Sequence, residues 1–225
     1  MLCFYGGLTV MKKAVIFDLD GTLIHSLPDI AAAMNRSLRA WGLPEHPEEA
    51  YKYMVGDGAV NLARRAVGPR TDQMENVLAA YRADYARNCR VRTAPYRGIP
   101  ETLEALRGRG IAVCVFSNKD QEDVETVLAH YFPGFPFSAV RGRLEGAPIK
   151  PDPAGALAIA DGLGLSPRDF LYVGDTGTDM RCGAAAGMST VGVLWGFRPR
   201  EELDAAGAQF LITEPAELLP LVDID

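Results

Sequence analysis

The chain has 225 residues, 48% hydrophobic and 23% charged, enough to bury one substantial core or a core with a small inserted module; wholesale disorder is excluded. Its 29 acidic and 23 basic residues give a formal charge of -6, with both signs scattered along the chain, which disfavours nucleic acid as the main partner. The longest internal apolar run, Ile111 to Phe116, is far short of the roughly 20 residues that cross a bilayer, so no membrane span is expected.

The opening stretch from Met1 to Met11 is mildly apolar, but the basic pair Lys12 and Lys13 follows it, the reverse of a secretory signal. Residues 1–11 are therefore expected as an N-terminal extension, with Met11 the candidate initiator. Cys3, Cys89, Cys114 and Cys182 show no CxxC or zinc-knuckle spacing. They read as reduced thiols, and the expected location is the cytoplasm. The expected oligomeric state is a monomer or a homodimer.

From Ala14 the chain runs AVIF and then DLDGTL, the pattern of a buried strand ending in carboxylates and a glycine. Period-2 geometry aims Asp18 and Asp20 the same way, although acidic pairs at loop starts also serve as solvated surface or helix caps. Roughly residues 26 to 92 then hold no convincing strand, only helical patterns separated by Gly and Pro. The first helix starts with Ser26, Leu27, Pro28 and Asp29, a candidate capping box, and continues through Ile30, Met34 and Leu38. The last carries Met74, Val77, Leu78, Tyr81 and Tyr85 on one face, a stripe of the kind that packs a small bundle. Leu23 to Ser26 and Arg90 to Tyr96 are the expected hinges of this helical insert.

After it, strand and helix alternate. Ile99, Leu103 and Leu106 mark a helix ending at Gly110; the strand-like run Ile111 to Phe116 ends in Ser117, Asn118 and Lys119. A helix with Val124, Val127, Leu128 and Tyr131 follows Asp120, and Phe170 to Val173 lead into Gly174, Asp175 and Thr176. Alternation with short connections implies a parallel sheet covered by helices on both faces, with ligands beyond the carboxyl ends of the strands. Asp18, Asp20 and Asp175 gathered at such an end would repel one another without a cation, and an oxygen-only donor set suits magnesium. Thr178 or Asp179 is expected to open the helix after the third strand. Ser117 and Asn118 offer a hydroxyl and backbone N–H groups for phosphate oxygens, or a simple helix cap. Lys150, before Pro151, Asp152 and Pro153, stands on a stiff extended segment. Trp195, Gly196 and Phe197 follow a strand-like run from Thr190 to Leu194, where they border the site or pack under its loop; His25 is assigned no role.

Asp18-x-Asp20-Gly21-Thr22, Ser117-Asn118, Lys150-Pro151 and Gly174-Asp175-x-x-x-Asp179 together resemble the four ordered motifs of the haloacid dehalogenase-like hydrolase superfamily. The resemblance spans nearly all of the chain from Lys12 onward. It implies an α/β fold: a Rossmann-like parallel sheet core over 12–25 and 93–225, with an inserted all-helical cap domain over 26–92. Within the insert, Gly56-Asp57-Gly58-Ala59 followed by Leu62, Arg64, Arg65 and Ala66 is similar to the cap segment of phosphoglycolate phosphatases. The implied enzyme is a magnesium-dependent phosphatase of a small phosphorylated metabolite, 2-phosphoglycolate first among the candidates. Asp18 is the implied nucleophile and Asp20 the acid and base, with the metal on the Asp18 carboxylate, the Asp20 carbonyl and Asp175, and Asp179 in support. Lys150 is implied as catalytic alongside Asp18 and Asp20, and with Ser117 and Asn118 it would hold phosphate. Gly56, Asp57, Gly58 and Arg64 would meet the substrate from the cap, Arg64 by pairing with an anionic group such as a carboxylate. A sugar-phosphate phosphatase, a phosphosugar mutase on the same core, or a non-enzymatic phospho-acceptor module resembling receiver domains are the alternatives. The helical insert and the second aspartate speak against the last of these, and the presence of Asp20 disfavours a dehalogenase.

Overall fold

The computed structural model describes residues 11–224; apart from Met11, the expected N-terminal extension lies outside the described residues, as does Cys3. The first strand, β1 (Ala14–Phe17), is buried on every residue. Val15 and Phe17 enter one apolar cluster and Ala14 and Ile16 the other, so period-2 alternation divides the strand between two cores, and both faces must be apolar. This explains why AVIF reads as a continuous hydrophobic run.

A two-residue strand β2 (Ile24–His25) leads into the insert, whose helices are α1 (Leu27–Ala40), α2 (Gly58–Val67) and α3 (Met74–Asn88). Short 3-10 turns over Glu48–Tyr53 and Thr71–Gln73 connect them. The chain returns through β3 (Ala94–Pro95), which pairs antiparallel with β2, Ile24 opposite Pro95 and His25 opposite Ala94. The ribbon thus sits in the two segments expected as hinges. The capping box expected at Ser26 and Asp29 does not form. Ser26 donates instead to Asp20 at 2.5 Å, and the Asp29 carboxylate accepts from the backbone N–H groups of Val91, Arg92 and Thr93 and from the Thr93 hydroxyl. Multiple donors across the hinge outcompete a single reciprocal cap.

The rest alternates as expected: α4 (Ile99–Gly108), β4 (Ala112–Asp120), α5 (Gln121–Tyr131), β5 (Ala139–Arg143), α6 (Ala154–Gly162), β6 (Phe170–Gly174), α7 (Gly177–Ala185), β7 (Ser189–Val193), α8 (Arg200–Ala205), β8 (Phe210–Ile212) and α9 (Leu218–Leu221). The six long strands form one parallel sheet in the order β5-β4-β1-β6-β7-β8. After β1 the chain builds outward through β4 and β5, then crosses back to build through β6, β7 and β8. The order therefore reverses at β1, and the crevice at its carboxyl end is the topological switch point where such sheets bind ligands. No helix among the described residues is long and apolar enough to cross a membrane. Cys89, Cys114 and Cys182 are free and buried.

Candidate active site

Three neighbouring strands deliver polar groups to that crevice. Asp18 follows β1, with its backbone N–H held by the Val173 carbonyl of β6 at 2.9 Å. Asp175 follows β6, and Ser117 lies within β4, which runs four residues further than its apolar stretch predicts. The pairing of β4 with β5 is irregular between Phe116 and Asp120, and Ser117, Asn118 and Lys119 all line the cavity there.

Lys150 ties the acidic groups together. Its ammonium, 3% exposed, donates to Asp18 Oδ1 at 2.6 Å, Asp179 Oδ1 at 2.7 Å and the Phe116 carbonyl at 3.1 Å. All of its donors are used. Burial alone would lower its pKa, but the Asp179 and Asp18 carboxylates hold the ammonium above its ordinary range. The Lys150–Pro151 peptide is cis, and the Lys150 backbone is clasped by Asn118, whose Oδ1 accepts the Lys150 N–H at 2.8 Å while Nδ2 donates to the Lys150 carbonyl at 3.2 Å.

Asp175 is fully buried and held at both oxygens: Thr22 Oγ1 donates to Oδ1 at 3.2 Å and the Phe197 N–H to Oδ2 at 2.8 Å. Trp195 Nε1 donates to the Thr22 carbonyl at 3.0 Å, so the loop after β7 rests on the first motif. The approach is close enough to require glycine: a Cβ on Gly21, whose φ is +90°, or on Gly196 would collide with the Asp175 side chain. Asp179 is oriented by Thr176. Thr176, not Thr178 or Asp179, is the N-cap of α7; its hydroxyl donates to Asp179 Oδ2 at 2.6 Å and its N–H at 3.1 Å, and the hydroxyl oxygen accepts from the Asp179 N–H. The extended backbone of Thr176 is what puts its hydroxyl in cap position.

Asp18, Asp175 and Asp179 each bring one carboxylate oxygen within 4.8 Å of the others. Burial, only partly offset by Lys150, pushes the Asp18 carboxyl up to about 7. Burial, then Asp18 and Asp179, push Asp175 well above the usual carboxylate range. Three buried acids against one ammonium leave a negative excess, and the donors are all hard oxygens, a set that fits magnesium. Asp175 and Asp179 are each hydrogen-bonded at both oxygens and Asp18 is bonded by Lys150 at Oδ1, and the three carboxylates together are the candidate ligand set.

The cavity above these groups is lined by Asp18, Asp20, Ser117, Asn118, Lys119 and Lys150 from the sheet, among others, and by Ile30, Val55, Gly56, Gly58, Ala59, Leu62 and Tyr81 from the insert. Its room for water-sized molecules is about 60 Å³. Ser117 is buried, its hydroxyl accepting the Lys119 N–H at 3.2 Å. Asn118 also spans the cleft, donating to the Gly56 carbonyl at 2.9 Å. Gly56 (φ +112°) and Gly58 (φ +83°) thus sit where the insert meets the sheet, a Gly58 Cβ coming within 3.1 Å of the Asn118 carbonyl.

Two sequence-derived expectations change. Arg64 is not brought to the cavity: it is exposed and donates to Asn61 on its own helix, because α2 turns Leu62, Ala63 and Ala66 inward and leaves Arg64 outside that stripe. Asp57 pairs with Arg65 and does not line the cavity. In their place the structure supplies Lys119, which sequence reasoning passed over. Its ammonium, 7% exposed on the side chain, donates to both Asp20 oxygens at 3.0 and 2.9 Å and lies 4.6 Å from the Tyr85 ring centroid. Burial works against its charge, but Asp20 holds it above the ordinary lysine range. No local pattern marks it, because its partner Asp20 lies 99 residues away in the chain.

The model of the family described as haloacid dehalogenase-like hydrolase matches residues 15–193. Phosphoglycolate phosphatase of Pseudomonas putida is 35% identical over 217 residues, covering 93% of this chain and 79% of that protein. That of Rhodospirillum rubrum is 37% identical over 217 residues, covering 92% and 90%. Among solved structures, a predicted phosphoglycolate phosphatase from Haemophilus somnus superposes with a TM-score of 0.88 at 29% identity, covering 96% of this chain and 99% of that one.

Proposed function

The chain belongs to the haloacid dehalogenase-like hydrolase family and is a phosphoric monoester hydrolase, and from this premise we propose that it is a magnesium-dependent phosphatase of a small phosphomonoester, 2-phosphoglycolate first, working through an aspartyl phosphate on Asp18. The observation that carries the reading is the Lys150 ammonium shared between Asp18 and Asp179 at the floor of a small cavity, with Asp175 alongside. A cavity of this size suits a compact ester.

Magnesium, held by Asp18, Asp175 and the Asp20 carbonyl, would supply positive charge against the phosphate and keep the Asp18 carboxylate ionised. Lys150 fixes the Asp18 oxygen by a 2.6 Å bond and is itself fixed by Asp179, so the nucleophile meets phosphorus from one direction. Asp18 forms an O–P bond as the P–O bond to the alcohol breaks, and Asp20 passes a proton to the departing oxygen. Asp20 then takes a proton from water, whose oxygen bonds phosphorus as the Asp18–P bond breaks, releasing inorganic phosphate. Ser117 and nearby backbone N–H groups supply hydrogen bonds to the phosphoryl oxygens. The assigned units are a catalytic core over 12–25 and 93–225 and a cap over 26–92, whose apolar residues cover the alcohol and exclude water. Buried free thiols at Cys89, Cys114 and Cys182 are in keeping with the cytoplasm.

The test is phosphate release from 2-phosphoglycolate and a panel of monoesters, with magnesium and with EDTA, by the wild type and by Asp18→Asn. Turnover is expected only with metal, and the variant should lose on the order of 10³-fold or more. An Asp18→Asn protein that keeps the wild-type rate would eliminate the covalent route.

A further inference from the structure

We propose that Lys119 is the specificity-determining residue of the cavity, recognising a negative charge on the alcohol portion of the ester, as in a carboxylate. This deepens the phosphatase reading above and rests on it. Among the described residues lining the cavity, Lys119 and Lys150 are the ones that carry positive charge. Lys150 has all three donors committed to Asp18, Asp179 and Phe116, at the end where phosphoryl transfer takes place. Lys119 stands against Tyr85 of α3, its ammonium 4.6 Å from the ring centroid, with two N–H bonds on Asp20.

The surroundings of Lys119 favour an anion over a neutral polyol. From the insert, Ile30, Val55, Ala59 and Leu62 line the cavity with apolar side chains and Tyr81 is the one side chain among the insert's lining residues that carries a polar group, so the covering wall offers few hydrogen bonds to the several hydroxyls of a polyol. Of the acids nearby, Asp120 is neutralised by Arg143 at 2.7 Å and Arg82 at 3.3 Å. Asp123 also lines the cavity, its carboxyl pushed up by burial. Neither Arg64, turned to Asn61, nor Arg65, turned to Asp57 and the Met54 carbonyl, can serve instead. A substrate carboxylate reaching Lys119 takes over one of the two contacts now made to Asp20. Asp20 keeps the other and the Ser26 hydroxyl.

The experiment compares kcat/KM for 2-phosphoglycolate and ethyl phosphate, which differ by the carboxylate, in the wild type, Lys119→Met and Lys119→Arg. Any loss from disturbing Asp20 falls on both esters and cancels in the ratio. The wild type is expected to prefer the carboxylate ester, and Lys119→Met to cut that preference on the order of 30-fold, through KM more than kcat, with Lys119→Arg restoring part of it. A preference that survives Lys119→Met makes Lys119 a positioning residue for Asp20 and overturns the inference while the phosphatase reading stands. A wild type that hydrolyses neither ester counts against the substrate reading instead. In that case inhibition of p-nitrophenyl phosphate hydrolysis by glycolate decides: weakened by Lys119→Met it supports the inference, unchanged it ends it. Lys119→Gln, which retains a donor for Asp20, replaces Lys119→Met if thermal melting shows the latter to be misfolded.

Discussion

Replacing Asp29 by alanine tests the fold where the insert rejoins the sheet. The carboxylate, 2% exposed, accepts from Val91 N at 3.0 Å, Arg92 N at 2.9 Å, Thr93 N at 2.8 Å and Thr93 Oγ1 at 2.7 Å. Val91 and Arg92 are exposed, so water takes over their N–H groups at little cost. Thr93 is buried, and its N–H and hydroxyl are left without an acceptor, at about 1–3 kcal/mol each. Loss of a negative charge from the first turn of α1 adds about 0.5 kcal/mol. Asp29→Ala should therefore lower the unfolding free energy by about 4 kcal/mol, and with a urea slope of about 2.5 kcal/mol/M the midpoint falls by about 1.5 M. Thr93→Val, which removes only the hydroxyl, should cost about 1 kcal/mol. Urea unfolding followed by far-UV circular dichroism measures both. A midpoint shift for Asp29→Ala below about 0.3 M would refute the reasoning, since it would mean the Thr93 groups find other partners.

Three further outcomes follow from the site. In EDTA, the Asp18 carboxyl, carried by burial from 3.8 to about 7, contributes stability that is present below about pH 4 and lost as pH rises through 7, with Asp175 acting in the same direction. Magnesium should raise the melting temperature more at pH 8 than at pH 5, and equal increments at the two pH values would contradict this. Arg198 reaches from the loop after β7 to the carbonyls of Lys52 and Val55 and covers the Tyr53 ring. Arg198→Ala should raise KM by roughly 10-fold and speed proteolysis between α1 and α2, whereas unchanged cleavage would show that the contact does not hold the insert down. Gly196→Ala places a methyl against Asp175 and within 2.6 Å of the Gly21 carbonyl. The magnesium concentration for half-maximal activity should rise at least tenfold, and an unchanged titration would argue against Asp175 as a ligand.

What the sequence discloses follows from burial. Strands β1, β4, β6 and β7 are legible because both their faces are covered and they read as apolar runs. By contrast β5, with the sequence AVRGR and mostly half-buried, lies at the sheet edge and carries no such signature; the two-residue strands β2 and β3 are too short for any period. The helices of the insert declare themselves by 3.6-residue spacing, yet spacing alone assigns the stripe of α3 wholly to packing, whereas Tyr81 also lines the cavity and Tyr85 lies beside Lys119. Asp18, Ser117, Lys150 and Asp175 are legible as polar groups at strand ends or on a stiff segment. Lys119 and Asp29 are not, because each takes its meaning from partners far along the chain, Asp20 for one and Thr93 for the other. Arg64 misleads for the opposite reason: its residue type suits an anion, but the face it occupies is decided by the apolar neighbours that turn inward.

The insert enters and leaves through one short ribbon, with His25 opposite Ala94 and Ile24 opposite Pro95. Two chain ends fixed side by side form a socket: whatever helices are spliced between them, the sheet and its buried acids see the same pair of attachment points. Exchanging the lodger therefore alters what covers the ester, while Lys119 on β4 and the hydrolytic machinery beside it stay with the sheet.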